Sequence, residues 1–246
     1  MTLAIVAAMH EELAAVLALM PDERKQVVAG RTFWCGHLHG REVVVVLSRI
    51  GKVAAATTAT VLAERFGVSR IVFTGLAGGL GPGVQVGDIV VARSFMQHDI
   101  DASPLFPRYE VPGTGVSSFA TDPALTDALA RAAQATLADL PGVLGEAAIQ
   151  QFGLGQPRLH QGLIVSGDRF VATTAESRAL QQGLPLALAV EMEGAAFAQV
   201  CADYGIAFAA LRTISDRADD SAHLDFMAFL RQVASRYSAA VVERLA

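Results

Sequence analysis

The chain is short of lysine, cysteine and charge of either sign. Lys25 and Lys52 are its only lysines, and Cys35 and Cys201 its only cysteines. Charged residues make up 17% of the 246, against 52% hydrophobic. So little charge excludes a disordered or coiled-coil chain. A net charge of −5 and a pI of about 5.7 leave no dense basic face to displace the counterions of a nucleic acid. Two distant cysteines make neither a disulfide framework nor an unaided zinc site, which fits a reducing cytoplasm. His37 and His39 flank Leu38 with no carboxylate or cysteine at ligand spacing, so neither a metal nor any other cofactor is expected.

Long apolar runs are missing too. The first twenty residues are apolar, but no Lys or Arg precedes Arg24 and His10-Glu11-Glu12 divides the run, unlike a signal peptide. A membrane helix needs about 20 unbroken apolar residues, and no stretch supplies them. No repeat, low-complexity tract or linker divides the chain. Residues 1–246 read as one domain of ordinary α/β length.

What is present is an alternation of short apolar runs with helical stretches. Strands are expected at Leu3 to Met9, Glu42 to Ser48, Arg70 to Thr74, Asp88 to Arg93, Gly162 to Ser166, Leu186 to Val190 and Ala207 to Thr213. Such continuous runs are covered on both faces, as in a mostly parallel sheet inside an α/β sandwich. Helices are expected over Glu11 to Met20 and Lys52 to Phe66. Asp122-Pro123 opens another, with an N-cap followed by proline at the first position, running to about Leu140. A last helix from Leu224 carries Phe226, Phe229, Leu230, Val233, Tyr237 and Val241 on one stripe. Pro141 to Gln161 lacks a period and reads as a long surface excursion.

Cofactor motifs fail on inspection. In the glycine cluster Gly75 to Gly83, Val84 and Val86 stand where a dinucleotide fingerprint needs its last glycine. Gly51-Lys52 is followed by Val53, and Val46 replaces a phosphate loop's first glycine. There is no G-x-S-x-G elbow. The chemistry-bearing residues are instead carboxylates at strand ends. Glu12 follows the first strand, Glu191 and Glu193 close another, and Asp216 ends the last. Each alone would suit a helix-start acid. Together they lie where open α/β sheets bind ligands.

Several segments resemble the 5′-methylthioadenosine/S-adenosylhomocysteine nucleosidase family, within the nucleoside phosphorylase superfamily. They are Ala8-Met9 with Glu12, Ser48 to Ala55, Thr74 to Gly79, Gly87 to Val91, His98-Asp99, Gly162 to Phe170, Val190 to Glu193 and Ile214 to Asp216. The resemblance implies a nucleoside phosphorylase-like three-layer α/β/α sandwich with a mostly parallel or mixed sheet. It implies hydrolysis of the bond between adenine and the ribose of a 5′-thio nucleoside, in methionine salvage. By that resemblance Asp216 is the acid at purine N7, Glu12 the base that activates water on the opposite face, and Arg212 a charged partner near that water. This is the logic of an inverting glycosidase. Glu193 would grip the ribose hydroxyls and Phe170 stack on adenine, with Val171 at the purine edge. Met9, Ile50 and Met192 would line the sugar and thio pocket, joined by Ala77, Gly78, Glu191 and Ser215. Leu105, Phe106, Tyr109 and Pro112, within Asp101 to Gly113, would reach a neighbouring subunit's pocket in a homodimer.

The sequence departs from the family pattern in places. Leu76 stands where many relatives carry a small hydroxyl residue, Pro141 to Gln161 is longer than expected, and His10 replaces an acid and receives no role. A phosphate-dependent phosphorylase is the first alternative, but no arginine pair near the start of the chain suits a phosphate dianion. A silent nucleoside-binding protein is the second, although binding alone needs neither acid nor base.

Overall fold

The structure, a computed structural model, describes residues 2–218 and 226–245. In chain order it contains β1 (Leu3–Ala7), α1 (His10–Leu17), β2 (Arg24–Val28), β3 (Arg31–Leu38), β4 (Arg41–Leu47), α2 (Lys52–Phe66), β5 (Arg70–Thr74) and β6 (Leu76–Gly79). There follow β7 (Ile89–Gln97), β8 (Phe119–Ala120), α3 (Pro123–Ala138), α4 (Leu140–Leu144), α5 (Glu146–Gln151), β9 (Leu159–Ser166), α6 (Thr174–Gly183) and β10 (Ala187–Glu191). The chain closes with α7 (Gly194–Tyr204), β11 (Ala207–Asp216), α8 (Phe226–Phe229), a π-helical turn at Leu230–Ala234, and α9 (Ser235–Leu245).

Among the described residues the strands form one sheet in the order β2-β3-β4-β1-β5-β11-β6-β10-β9-β7-β8. Strand alternation sends Leu3, Ile5 and Ala7 of β1 into a core under α1, α3 and α9. Ala4 and Val6 enter a second core under α2 and α7. Helices therefore cover both faces, and the expected α/β/α sandwich is what the chain builds. Each fully buried Val, Leu or Ile contributes about 1.5–3 kcal/mol, and Val45, Val46, Ile71 and Val72 are wholly buried.

The sheet is more mixed than buried runs suggest. β11 is long enough to serve three neighbours. Ala207 to Ala210 pair with β5 in parallel, Leu211 to Thr213 with β7 antiparallel, and Thr213 to Asp216 with β6 in parallel. Because β7 returns to β11, strands β11, β6, β10, β9 and β7 close a ring. The glycine cluster supplies β6 to that ring. A Cβ on Gly78 would stand 2.8 Å from the Ala218 side chain and 3.0 Å from Asp216, so only glycine lets the strands meet there.

Other expectations change in detail. Helix α2 has the predicted bounds, and Asp122 caps α3 by accepting from the Leu125 N–H at 2.8 Å. The stretch Pro141 to Gln161 is no surface excursion. It folds into part of α4, α5 and the start of β9, and seats Leu144, Ala148 and Leu154 in the main core. Apolar residues spaced across Gly-rich sequence hid that periodicity. Strands β2 and β3 and helices α6 and α7 were not anticipated. The expected stripe on the last helix is buried from Phe229 to Val241. Its proposed start at Leu224 lies outside the described residues. Among the described residues no helix is long and apolar enough to cross a membrane.

Candidate functional site

A cavity opens at the carboxyl ends of β1, β10 and β11, where α/β sheets place ligands. Its empty space, mouth included, is about 680 Å³, within the usual range for a small-molecule site. The loop after β1 brings Met9, the turn before α2 brings Ile50, and β6 brings Ala77 and Gly78. The loop after β9 adds Phe170 and Val171, the end of β10 adds Glu191, Met192 and Glu193, and the end of β11 adds Ser215 and Asp216. Sequence reasoning named all of these. It did not name Arg169, and it put Phe226 on a core stripe, whereas both line the cavity. Phe226 begins that stripe, at the end nearest the strand termini, and this was the signal available for it.

Glu191 organises the corner between β10 and α7. One carboxylate oxygen accepts from the Ser166 hydroxyl, at a short contact, and from the Gly194 N–H at 3.0 Å. The other accepts from the N–H groups of Glu193 (3.1 Å) and Gly194 (2.8 Å) and from Arg212 Nη2 at 2.7 Å. The expected substrate ligand is thus fully engaged by the protein, because it caps the first turn of α7. Arg212 is held in the same way. It is wholly buried, gives Nη1 to the carbonyls of Leu211 (3.0 Å) and Phe73 (3.3 Å), and stacks 4.1 Å over the Phe73 ring. Nε and Nη2 both face Glu191, at 3.3 and 2.7 Å, and the guanidinium also offers Glu12 a positive field. Gly75 leaves the space it fills, since a Cβ there would stand 3.3 Å from the guanidinium.

Glu12, on α1, is fully buried and does not line the cavity. Ser238 of α9 donates to Oε1 at 3.3 Å, whereas Oε2 has no hydrogen-bond partner among the described residues. Burial pushes its pKa up from 4.5 to about 7. The field of Arg212, a main-chain bond at Met9 and the Ser238 hydroxyl offset part of that cost. Glu193 is nearly as deep. Its Oε1 accepts the Gly51 N–H at 2.9 Å, at the positive N-terminus of α2. Burial and then the neighbouring Glu191 raise its pKa.

Asp216 is held at the end of β11. Oδ1 accepts the Ala218 N–H and Oδ2 the Ser215 hydroxyl, both at 2.7 Å. The predicted partner-reaching residues stand elsewhere. Leu105 is 84% exposed, Pro112 is exposed, Phe106 and Tyr109 are half-buried, and none of them lines the cavity. The fold also gives His37 the carboxylate that linear spacing hid, Asp22 at 2.7 Å on an open surface. Among the described residues no group of three or more His, Cys, Asp or Glu could hold a metal ion.

A profile of the phosphorylase superfamily matches residues 2–246. The 5′-methylthioadenosine/S-adenosylhomocysteine nucleosidase of Chromohalobacter salexigens is 35% identical over 243 residues, covering 99% of this chain and 95% of that one. Among solved structures, the Neisseria meningitidis enzyme of the same name, in complex with methylthio-immucillin-A, superposes with a TM-score of 0.86 at 33% identity. The match covers 99% and 97% of the two chains. A futalosine hydrolase of Helicobacter pylori superposes with a TM-score of 0.83 at 32% identity, covering 99% and 96%.

Proposed function

The chain belongs to the phosphorylase superfamily and, within it, to the 5′-methylthioadenosine/S-adenosylhomocysteine nucleosidases, and on that premise we propose that it hydrolyses 5′-thio-substituted adenosines to adenine and the free sugar. The observation that carries this reading is a small-molecule cavity with Asp216 and Glu193 on its wall, backed by the buried Glu12 of α1, whose Oε2 is unpartnered among the described residues and whose pKa burial pushes up to about 7. A general base works best with a pKa near the working pH.

In this reading Phe170 stacks on the purine and Val171 borders its edge. Glu193, fixed by Gly51, takes the ribose hydroxyls, while Met9, Ile50 and Met192 enclose the sugar and its thio substituent. Asp216 delivers a proton to purine N7 as the C1′–N9 bond lengthens. With that proton adenine leaves neutral, while water adds its oxygen to C1′ and gives a proton to Glu12. Charge build-up on the sugar is met by the carboxylates that line the cavity.

The wall argues for water over phosphate. Arg169 is the one cation on the cavity wall among the described residues, and it is ion-paired with Glu176. A phosphate dianion would face Glu191, Glu193, Asp216 and the isobutyl group of Leu76, a wall whose charge repels it. The whole chain would act as one domain, as a cytoplasmic homodimer in which Leu105, Phe106, Tyr109 and Pro112 reach the pocket of a second copy. The 84% exposure of Leu105 supports that arrangement.

A panel of purine nucleosides assayed for base release tests the proposal. Adenine release from 5′-methylthioadenosine at an unchanged rate without phosphate is the expected result, and strict phosphate dependence would overturn it. Asp216→Asn should abolish turnover while circular dichroism and melting stay those of the wild type. The same panel, extended to homocysteinyl and futalosine-type 5′ groups, ranks the substituents.

A further inference from the structure

Two separate segments wall the nucleoside cavity, with Ile50 before α2 and Phe170-Val171 after β9, and a polar cluster outside the cavity ties them together. Lys52 Nζ donates to Asp99 Oδ1 at 2.6 Å and to Gln97 Oε1 at 2.9 Å. The Lys52 main-chain N–H donates to Asp168 Oδ1 at 2.7 Å, and the Asp168 N–H to Asp99 Oδ2 at 2.8 Å. Gln97 reaches on to Gln199 of α7 at 2.8 Å. Asp99 thus holds both segments with one carboxylate. One oxygen takes the residue that follows Gly51, the other takes the residue two before Phe170.

The cluster is built for this geometry. The Lys52 ammonium is 16% exposed and Asp99 is 31% exposed, so the pair is shielded enough to hold its shape. Burial alone would raise the Asp99 carboxyl. The Lys52 bond and the Asp168 N–H outweigh it and hold the group below the usual carboxylate range. Gly167 closes the contact from beneath, since a Cβ there would stand 2.3 Å from His98 Nε2, whose ring packs on the loop. Gly51, next to Lys52, is also the residue whose N–H fixes Glu193. The cluster therefore connects the purine wall, the sugar wall and a ribose carboxylate without touching the cavity itself.

We infer that Lys52, Asp99 and Asp168 form a clamp of positioning residues that fixes the spacing between the two cavity walls and so sets nucleoside affinity. The inference deepens the nucleosidase reading and rests on it. Turnover of 5′-methylthioadenosine and calorimetric binding of adenine test it in the full-length protein. Asp99→Asn keeps the shape but turns one acceptor into a donor facing a donor. It should raise KM and the adenine Kd about tenfold, the scale of one charge-assisted bond, while kcat stays within about twofold. Lys52→Met should do the same, the double variant should be no worse than the poorer single one, and Lys52→Arg should recover part of the loss. Arg93→Met, which breaks an exposed 2.7 Å pair with Asp127 outside the site, should leave KM unchanged. If Asp99→Asn does not fold, Lys52→Met against Lys52→Arg makes the same comparison. Unchanged KM and adenine Kd in the folded variants, or losses that multiply in the double variant, would overturn the clamp. A wild-type protein that binds adenine but releases none would sink the nucleosidase reading instead and leave the clamp to be judged on adenine affinity.

Discussion

Two corners of this site bury carboxylates on opposite terms. At the β10–α7 corner Glu191 receives a serine hydroxyl, two main-chain N–H groups and a buried guanidinium. In the seam between α1 and α9, Glu12 lies just as deep with a single side-chain donor at 3.3 Å and one oxygen unpartnered among the described residues. A buried carboxylate is costly unless its oxygens are satisfied. At the first corner that cost is met by the fold, and the group holds strand, helix and arginine together. In the seam it is left standing, and burial pushes the pKa of the group up to about 7. On the proposed reading, satisfaction marks Glu191 as structural and its lack marks Glu12 as the group kept for chemistry.

Exchanging each acid for its amide should separate the two roles. Glu191→Gln leaves Arg212 buried beside an uncharged partner, and breaking a buried ion pair costs about 3–5 kcal/mol. Chemical denaturation should show that loss, and any fall in activity should follow the folded fraction. Glu12→Gln should do the reverse. Turnover should drop about 10²–10⁴-fold, the usual worth of a positioned proton transfer, with the melting temperature equal to or above that of the wild type. A stable Glu191→Gln protein, or an unfolded Glu12→Gln one, would erase the contrast.

The pH dependence sharpens it further. Glu12 has a folded pKa of about 7 against an ordinary 4.5, so the folded state binds the proton more tightly. Its contribution to stability is therefore fully present below about pH 4.5 and is lost as pH rises through about 7. The gap, at about 1.4 kcal/mol per pH unit, is worth roughly 3 kcal/mol. Denaturation curves between pH 4.5 and 8 should show the wild type losing more stability than Glu12→Gln by about that amount. Activity should move the other way and rise through about pH 7 as the base ionises. Parallel stability curves for the two proteins would mean that Glu12 is not desolvated in solution.

Much of this was readable from the chain alone. The strand-end carboxylates and the buried runs before them located the cavity, because a charge closing an apolar strand has few places to go. Fold class followed from the same alternation. Partnership was not legible. Nothing in the spacing says that Glu191 is saturated while Glu12 keeps one oxygen unpartnered among the described residues. That depends on Ser166 and Arg212, brought in from β9 and β11. Phe226 resembled any core aromatic, and Ser238 sat unnoticed beside a predicted stripe. The ring closed by β7 and β11 also escaped, since antiparallel and parallel pairings of fully buried strands share one apolar pattern. Residues 141–161 misled for a simpler reason. Glycine and proline punctuate α4 and α5 so closely that no helical period builds up.

Ser238 gives the finest test of the contrast between the corners. Its hydroxyl is the one side-chain donor to Glu12 among the described residues, and α9 carries it there just beyond the π-helical turn at Leu230–Ala234. Such turns often mark functional positions. Ser238→Ala removes a bond that favours the charged carboxylate, and a net hydrogen bond is worth about 0.5–1.5 kcal/mol. The lower arm of the pH–rate profile should therefore move up by about half to one pH unit, with the rate nearly unchanged on the alkaline plateau. Ser238→Thr keeps the donor and should restore the original midpoint. A profile that drops at all pH values without moving would show that the hydroxyl only packs the seam, and that the proton affinity of Glu12 is set by burial and Arg212 alone.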